Sequence, residues 1–306
     1  MRNSVVRLLS FVFRQSALAL SAAILSALLV SMAHAQLGYE GPTGIFVTPL
    51  AAVSPSPVHG IGHPTIAYHV LAAGPVIGDF NTVSFTEGFA KRLEVGYTRE
   101  DHSAGSSASL SSLWTNGLNL FHAKAVVVPE NAGKIKWIPA VAIGGIVRTN
   151  DTNVGDGANG QTKTNADVYL VATKIVTQTK KVPLVLNVGV RGTNASLWGL
   201  GGNAPDLTAR AFGALGFVFT GPGKSTIILA SEVAQQPHHI RFSTAPGVSY
   251  SALDIPTSID YAIRVVPTPK HRLNIDAGIL QAAGRIATGT DLKARARFAF
   301  GITYGF

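Results

Sequence analysis

Leu184, Leu186, Val188 and Val190 alternate with Val185, Asn187, Gly189 and Arg191, and this period of two most narrows the folds open to the chain. It recurs. Leu93, Val95 and Tyr97 alternate with Arg92, Glu94, Gly96 and Thr98; Ile259, Tyr261, Ile263 and Val265 with Asp260, Ala262 and Arg264; Leu273, Ile275, Ala277 and Ile279 with Asn274, Asp276 and Gly278. Successive side chains of a strand point to opposite faces, so each run has one apolar face and one small or polar face. Nowhere does a helix cap lead into a 3.6-residue periodicity, and the chain reads as all-β.

The connectors alternate as well. Long polar stretches at about 102–116, 150–165, 195–206, 235–256 and 282–290 are interleaved with tight turns near 89–91, 129–134, 178–181, 221–224 and 267–270. Short and long connections in alternation are the layout of an antiparallel transmembrane β-barrel, with turns on one rim and loops on the other. Strands are expected near 65–73, 80–88, 92–101, 117–128, 136–149, 166–177, 183–194, 207–220, 225–234, 257–267, 271–281 and 291–306, twelve in all. An even number puts both ends of the barrel on the short-turn rim. Fourteen strands are the alternative, if 240–253 forms a hairpin in the wall.

A soluble β-sandwich would alternate too. Its polar faces meet bulk water and carry many Lys and Glu, whereas the second face here carries Gly, Ala, Arg and Asn. Charged residues are only 13% of the chain, against roughly 25% in soluble domains. Long strands with one wholly apolar face favour the barrel.

Residues 1–35 read as a cleaved signal peptide: a basic start, the apolar SALALSAAILSALLVSM, and Ala33-His34-Ala35 in an A-x-A pattern. Its removal takes Arg2, Arg7 and Arg14 with it and lowers the formal charge from +9 to +6. The remaining basic residues are spread along the chain, without the concentrated stripe that nucleic acid requires. There is no cysteine, so neither a disulfide framework nor a thiolate metal site is available. After residue 35 no apolar run reaches the roughly 18 residues of a transmembrane helix. Residues 36–63 form an N-terminal segment that acts as plug, tether or first pairing segment, and 64–306 form the barrel.

The chain closes on LKARARFAFGITYGF. Phe306, Tyr304, Ile302 and Phe300 fall on one face of this last run, and the terminal GITYGF resembles the C-terminal signature of Gram-negative outer-membrane proteins. That resemblance implies an outer-membrane location, surrounding lipid and lipopolysaccharide as partners, and recognition of these four residues by the barrel-assembly machinery. The stretch GYEGPTGIFVTPLA, with HPTIAYHVLAAGPVIGDFNTVSFTEGFAKRLEVGYTRED, resembles an uncharacterised proteobacterial outer-membrane family of unknown function. It implies location and fold and supplies no reaction.

Several motifs invite a sharper chemistry. In FTGPGKST a phosphate loop would need a glycine where Val218 stands, and a helix where STIILASEV reads as strand, so Gly221–Lys224 is expected to be a hairpin turn. Gly144, Gly145, Gly213 and Gly216 fit relief of crowding inside a barrel better than approach to a ligand. His59, His63, His238 and His239 lie in Pro- and Gly-rich stretches without nearby carboxylates, and no metal or other cofactor is expected. His122 and Lys124 are expected in the lumen. No Ser and His fall together at one rim with a carboxylate behind them, so no enzyme activity is expected; a surface lipid-modifying enzyme is the less favoured reading. Trp114, Trp137, Trp198, Tyr97, Tyr169, Tyr304 and Phe306 are expected in aromatic girdles, with sugar stacking by Trp114 and Trp198 as the sharper idea.

The face opposite the apolar one carries the functional expectation. On it fall Arg92, Lys124, Arg148, Arg191, Arg210, Arg264, Lys293, Arg295 and Arg297, against Glu94, Glu232, Asp260 and Asp276. Arg or Lys facing lipid costs about 2–4 kcal/mol at the midplane, so these side chains belong inside. A basic lumen would favour small anionic solutes in a passive channel. The alternative is a non-conducting structural or adhesive barrel whose lumen is filled by its own side chains and by 36–63. Twelve strands lie between the packed interior of eight and the open channel of about sixteen, which leaves both open.

Overall fold

The computed structural model describes residues 36–111, 114, 117–150, 164–177, 182–200, 203–237, 240–242, 251–253, 257–267, 272–281 and 296–306. The expected signal peptide, residues 151–163, residues 282–295 with Lys293 and Arg295, and His238 and His239 lie outside them. The alternating runs become β1 (Thr65–Gly74), β2 (Gly78–Phe89), β3 (Leu93–Ala104), β4 (Leu118–Val128), β5 (Ala140–Asn150), β6 (Thr164–Val176), β7 (Leu184–Ala195), β8 (Asn203–Thr220), β9 (Thr226–Ala234), β10 (Ile240–Phe242), β11 (Ser251–Leu253), β12 (Ser258–Val266), β13 (Leu273–Gln281) and β14 (Arg297–Gly305).

Twelve of them close a barrel in which every wall strand is antiparallel to both neighbours, and β14 returns to β1. β10 and β11 pair with each other in a separate two-stranded ladder, so the fourteen-strand alternative does not hold. Closure sets Thr65 opposite Gly305 and Leu71 opposite Ala299, and the amide of Phe306 donates to the carbonyl of Pro64 at 3.1 Å. Both ends of the barrel therefore share one rim, the rim of the short turns. Full closure removes the unpaired edges that would otherwise recruit a second chain.

The wall keeps the expected parity. Val83, Phe85, Phe121, Val188, Tyr261 and Phe298 face outward and are exposed, while Thr82, Ser84, His122, Asn187, Asp260 and Ala299 face inward and are buried. An outward band of this kind suits hydrocarbon and an inward face of this kind does not. Boundaries moved where turn chemistry intervenes. β5 starts at Ala140, because Asn131, Gly133 and Lys134 adopt left-handed turn conformations and Pro139 precedes the ladder. Gly221–Lys224 is the expected hairpin turn: the Gly221 amide donates to the Ser225 carbonyl at 2.8 Å and strand β9 follows directly.

Inside, four glycines sit directly opposite a ring on the neighbouring strand: Gly96 opposite His122, Gly144 opposite Tyr169, Gly189 opposite Phe212 and Gly301 opposite His69. Each ring lies across the glycine; a Cβ on Gly144 would fall 2.5 Å from the Tyr169 ring. The absent side chain makes the room that the ring occupies, and the ring covers the bare backbone.

Candidate functional site

The lumen holds residues 36–54. This segment is a knot of turns: the Gly38 amide donates to Pro42 O, Tyr39 to Phe46 O, Gly44 to Gln36 O and Leu50 to Thr43 O, at 2.7–3.1 Å. Its glycines are dictated by position. Gly41 has φ +103°, and any Cβ there would meet the Thr98 hydroxyl and His122; one on Gly44 would meet the Thr48 carbonyl. Leu37, Tyr39, Phe46, Val47, Leu50 and Ala51 are buried, as are Gln36, Glu40, Thr43, Thr48 and Ser54.

The wall holds the segment mainly by its backbone. Glu232 on β9 accepts the amides of Phe46 and Thr48 at 2.6 Å each, the Val47 amide at 3.2 Å and the Thr48 hydroxyl. Glu94 on β3 accepts the Thr43 amide at 2.9 Å and the Ser54 amide at 2.8 Å, and pairs with Lys124 at 2.9 Å. Lys124 also donates to Thr43 O at 2.7 Å. Arg264 on β12 donates to Gly44 O, to Ile45 O and to the Gln36 side chain, while its Nε meets Asp276 at 2.5 Å. The hydroxyls of Thr82, Thr98 and Thr86 donate to the carbonyls of residues 39, 40 and 41 in turn. Asn187 donates to Pro49 O, and Thr173 accepts from the Ala51 amide. Burying that much backbone is tolerable only because it is satisfied in this way.

Glu40 is the segment's one buried charge. It meets Arg148, which also binds Asp167 at 2.7 Å and Asn165 at 3.2 Å. Arg191 lies 3.4 Å from Asp167 and 5.5 Å over the Phe212 ring. Tyr39 donates to Glu100 at 2.9 Å.

The family model for a protein of unknown function, DUF3034, matches residues 39–246, more than half of the chain, and spans most of the lumenal segment and strands β1 to β10. The chain belongs to this family. No curated protein matches it. Among solved structures it is similar to the KdgM porin, at 12% identity and a TM-score of 0.43 over 79% of this chain and 99% of that one. It is also similar to the β domain of the Bordetella autotransporter BrkA, at 12% identity and 0.36 over 80% and 99%. The Escherichia coli outer-membrane protein Wzi aligns at 12% identity and 0.28 over 74% and 52%.

The residues expected in the lumen divide. Lys124, Arg148, Arg191 and Arg264 are buried there; Arg210, directly opposite Arg191, and Arg297, beside Gly74, are half-buried at the long-loop end. Arg92 is instead exposed on the β2–β3 turn, because β3 begins one residue later, and it donates to Val126 O. Two inward acids add to the four expected ones: Glu100 and Asp167, each at the long-loop end of its strand. Glu100 shares the parity of Glu94, and Asp167 alternates with Val168 and Leu170; that alternation was the signal for them. The inward wall thus carries Glu94, Glu100, Asp167, Glu232, Asp260 and Asp276 against Lys124, Arg148, Arg191, Arg264, Arg210 and Arg297, so among the described residues the lumen has no cationic surplus.

Three aromatic residues expected at the girdles are interior. Tyr169 covers Gly144; Trp198 is 1% exposed on an inward turn at Ser196–Gly199; Trp114 is buried and donates to Leu200 O at 2.9 Å. Neither tryptophan presents a face for sugar stacking. Trp137, Tyr97, Tyr304 and Phe306 are exposed. Ile302 shares the outer face of β14 with Tyr304 and Phe306, while Phe300 is half-buried. His59 and His63 are exposed on the chain leading to β1.

Proposed function

We propose that this protein is a Gram-negative outer-membrane barrel that residues 36–54 keep closed, and that it is non-conducting in this state. The occupied lumen carries the reading: Glu232, Glu94 and Arg264 spend their hydrogen-bonding capacity on the backbone of the segment rather than on a solute path. The apolar outer band, the export-type segment 1–35 and the aromatic last strand support the location. They also support engagement of the barrel-assembly machinery through Phe306, Tyr304, Ile302 and Phe300, with lipid and lipopolysaccharide around the wall. Catalysis has no part in this reading.

A conducting state follows if the segment leaves. A cavity of about 640 Å³ opens at the short-turn rim beside Ala51–Pro57, on the side where 55–63 ties the segment to β1, and this favours withdrawal in that direction. Planar-bilayer recording is the test. The full mature chain should give no steady conductance, and deletion of 36–54 should give discrete channels. Steady channels from the full chain would overturn the closed reading.

A further inference from the structure

Four short turns hold a basic residue in the left-handed region: Lys91 at φ 55°, Lys134 at 65°, Lys224 at 66° and Arg272 at 40°. Glycine and asparagine occupy such positions at least cost, and a long side chain there is conformationally unfavourable. The four belong to the β2–β3, β4–β5, β8–β9 and β12–β13 connections, all on one rim. Around the long-loop rim the described non-glycine residues of positive φ are uncharged: Leu197, Trp198 and Ala296. On the short-turn rim only Ala90 and Asn131 among the described non-glycine residues share this conformation without a charge, and a cost met by a cation at four separate turns calls for a partner.

All four side chains are exposed, and the exposed Arg92 and Lys136 join them. Of the acids near this rim, Glu87 is half-buried near His63, and Glu130 is half-buried and paired with Lys174 at 2.8 Å. Exposed apolar side chains sit among the cations: Ile135 and Trp137 beside Lys134 and Lys136, and Phe306 beside Arg272. Ammonium and guanidinium groups level with aromatic rings, just beyond an apolar band, match the phosphate layer of a membrane leaflet.

We propose that the short-turn rim is a binding collar for anionic phospholipid headgroups, built on Lys91, Lys134, Lys224 and Arg272. It rests on the reading that the apolar band lies in a bilayer, and it adds a lipid class that this band does not select. The phosphodiester accepts from the rim cations while the acyl chains lie along the outward side chains below them.

The test is native mass spectrometry of the folded full chain with phosphatidylglycerol and phosphatidylcholine of matched acyl chains. The parent should retain phosphatidylglycerol preferentially. The variant Lys91→Asn, Lys134→Asn, Lys224→Asn, Arg272→Asn should bind it about tenfold more weakly or worse, with phosphatidylcholine unchanged. Asparagine suits these turns, so the folded, heat-modifiable band should persist. A parent without preference, or a variant that keeps it, overturns the collar while leaving the barrel intact. Failure of the parent to yield any folded band in detergent or vesicles overturns the barrel reading and the collar with it.

Discussion

At the scale of single residues, the charged groups of this barrel are not equivalent, and burial sorts them. Arg148 is wholly buried between Glu40 and Asp167, so Arg148→Met leaves the two carboxylates only the more distant Arg191, 3.4 Å from Asp167 and 4.0 Å from Glu40; a loss of about 3–5 kcal/mol is expected. Arg92→Met, on an exposed turn, should change stability by less than about 0.5 kcal/mol. Urea unfolding followed by the gel shift of the folded band measures both, and equal midpoints would refute the distinction. Gly144 makes a second case. Gly144→Leu must displace the Tyr169 ring and should cost about 1–3 kcal/mol, while in a Tyr169→Ala background the same change should cost clearly less. Additive losses in the same unfolding assay would show that ring and glycine are independent. These residue roles were unevenly legible in the sequence. The parity of Lys124, Arg148, Arg191 and Arg264 put them inside, but their partners could not be read. Glu40 and Asp167 meet Arg148 from 108 and 19 positions away, and nothing local records such a meeting.

At the scale of elements, the strands were the legible part, because one face meets hydrocarbon and the period of two follows from that alone. β7, β12 and β13 could be drawn from their alternation before any register was known. Residues 36–54 were not legible in this way. They have no period, since their apolar side chains are buried by enclosure rather than by a face. Their Gly and Pro residues shape turns around the wall's Glu232 and Arg264, which lie some 190 positions further on and 220 positions further on. Where the segment meets β1, the hydroxyls of Ser54 and Thr65 are 3.0 Å apart. Ser54→Cys with Thr65→Cys should therefore form a disulfide in the folded barrel, in a chain with no other cysteine. Thiol titration after mild oxidation reads the outcome, and two free thiols in the folded protein would place the segment elsewhere. With residues 36–54 in the lumen, the bridge should hold the barrel closed.

At the scale of the whole molecule, the balance of inward charge governs what an emptied barrel would pass. Counting basic residues by parity gave a cationic lumen, yet Glu100 and Asp167 join the inward acids and Arg92 leaves the inward bases. A barrel lacking 36–54 should then discriminate weakly between small monovalent cations and anions. Reversal potentials in a salt gradient decide this: values near zero are expected, and a strong anion preference would restore the basic-lumen picture with Lys293 and Arg295 as its source. The way the closed lumen is held has a further consequence for how the family drifts. Glu232, Arg264, Thr82, Thr86 and Thr98 touch amides and carbonyls that every sequence of the same shape would offer. Substitution at Val47 or Ile45 leaves those groups in place, whereas proline at 46, 47 or 48 erases a donor that Glu232 requires. Relatives are therefore free to diverge in the identity of these side chains, while the spacing of their glycines and the wall carboxylate that faces them must travel together.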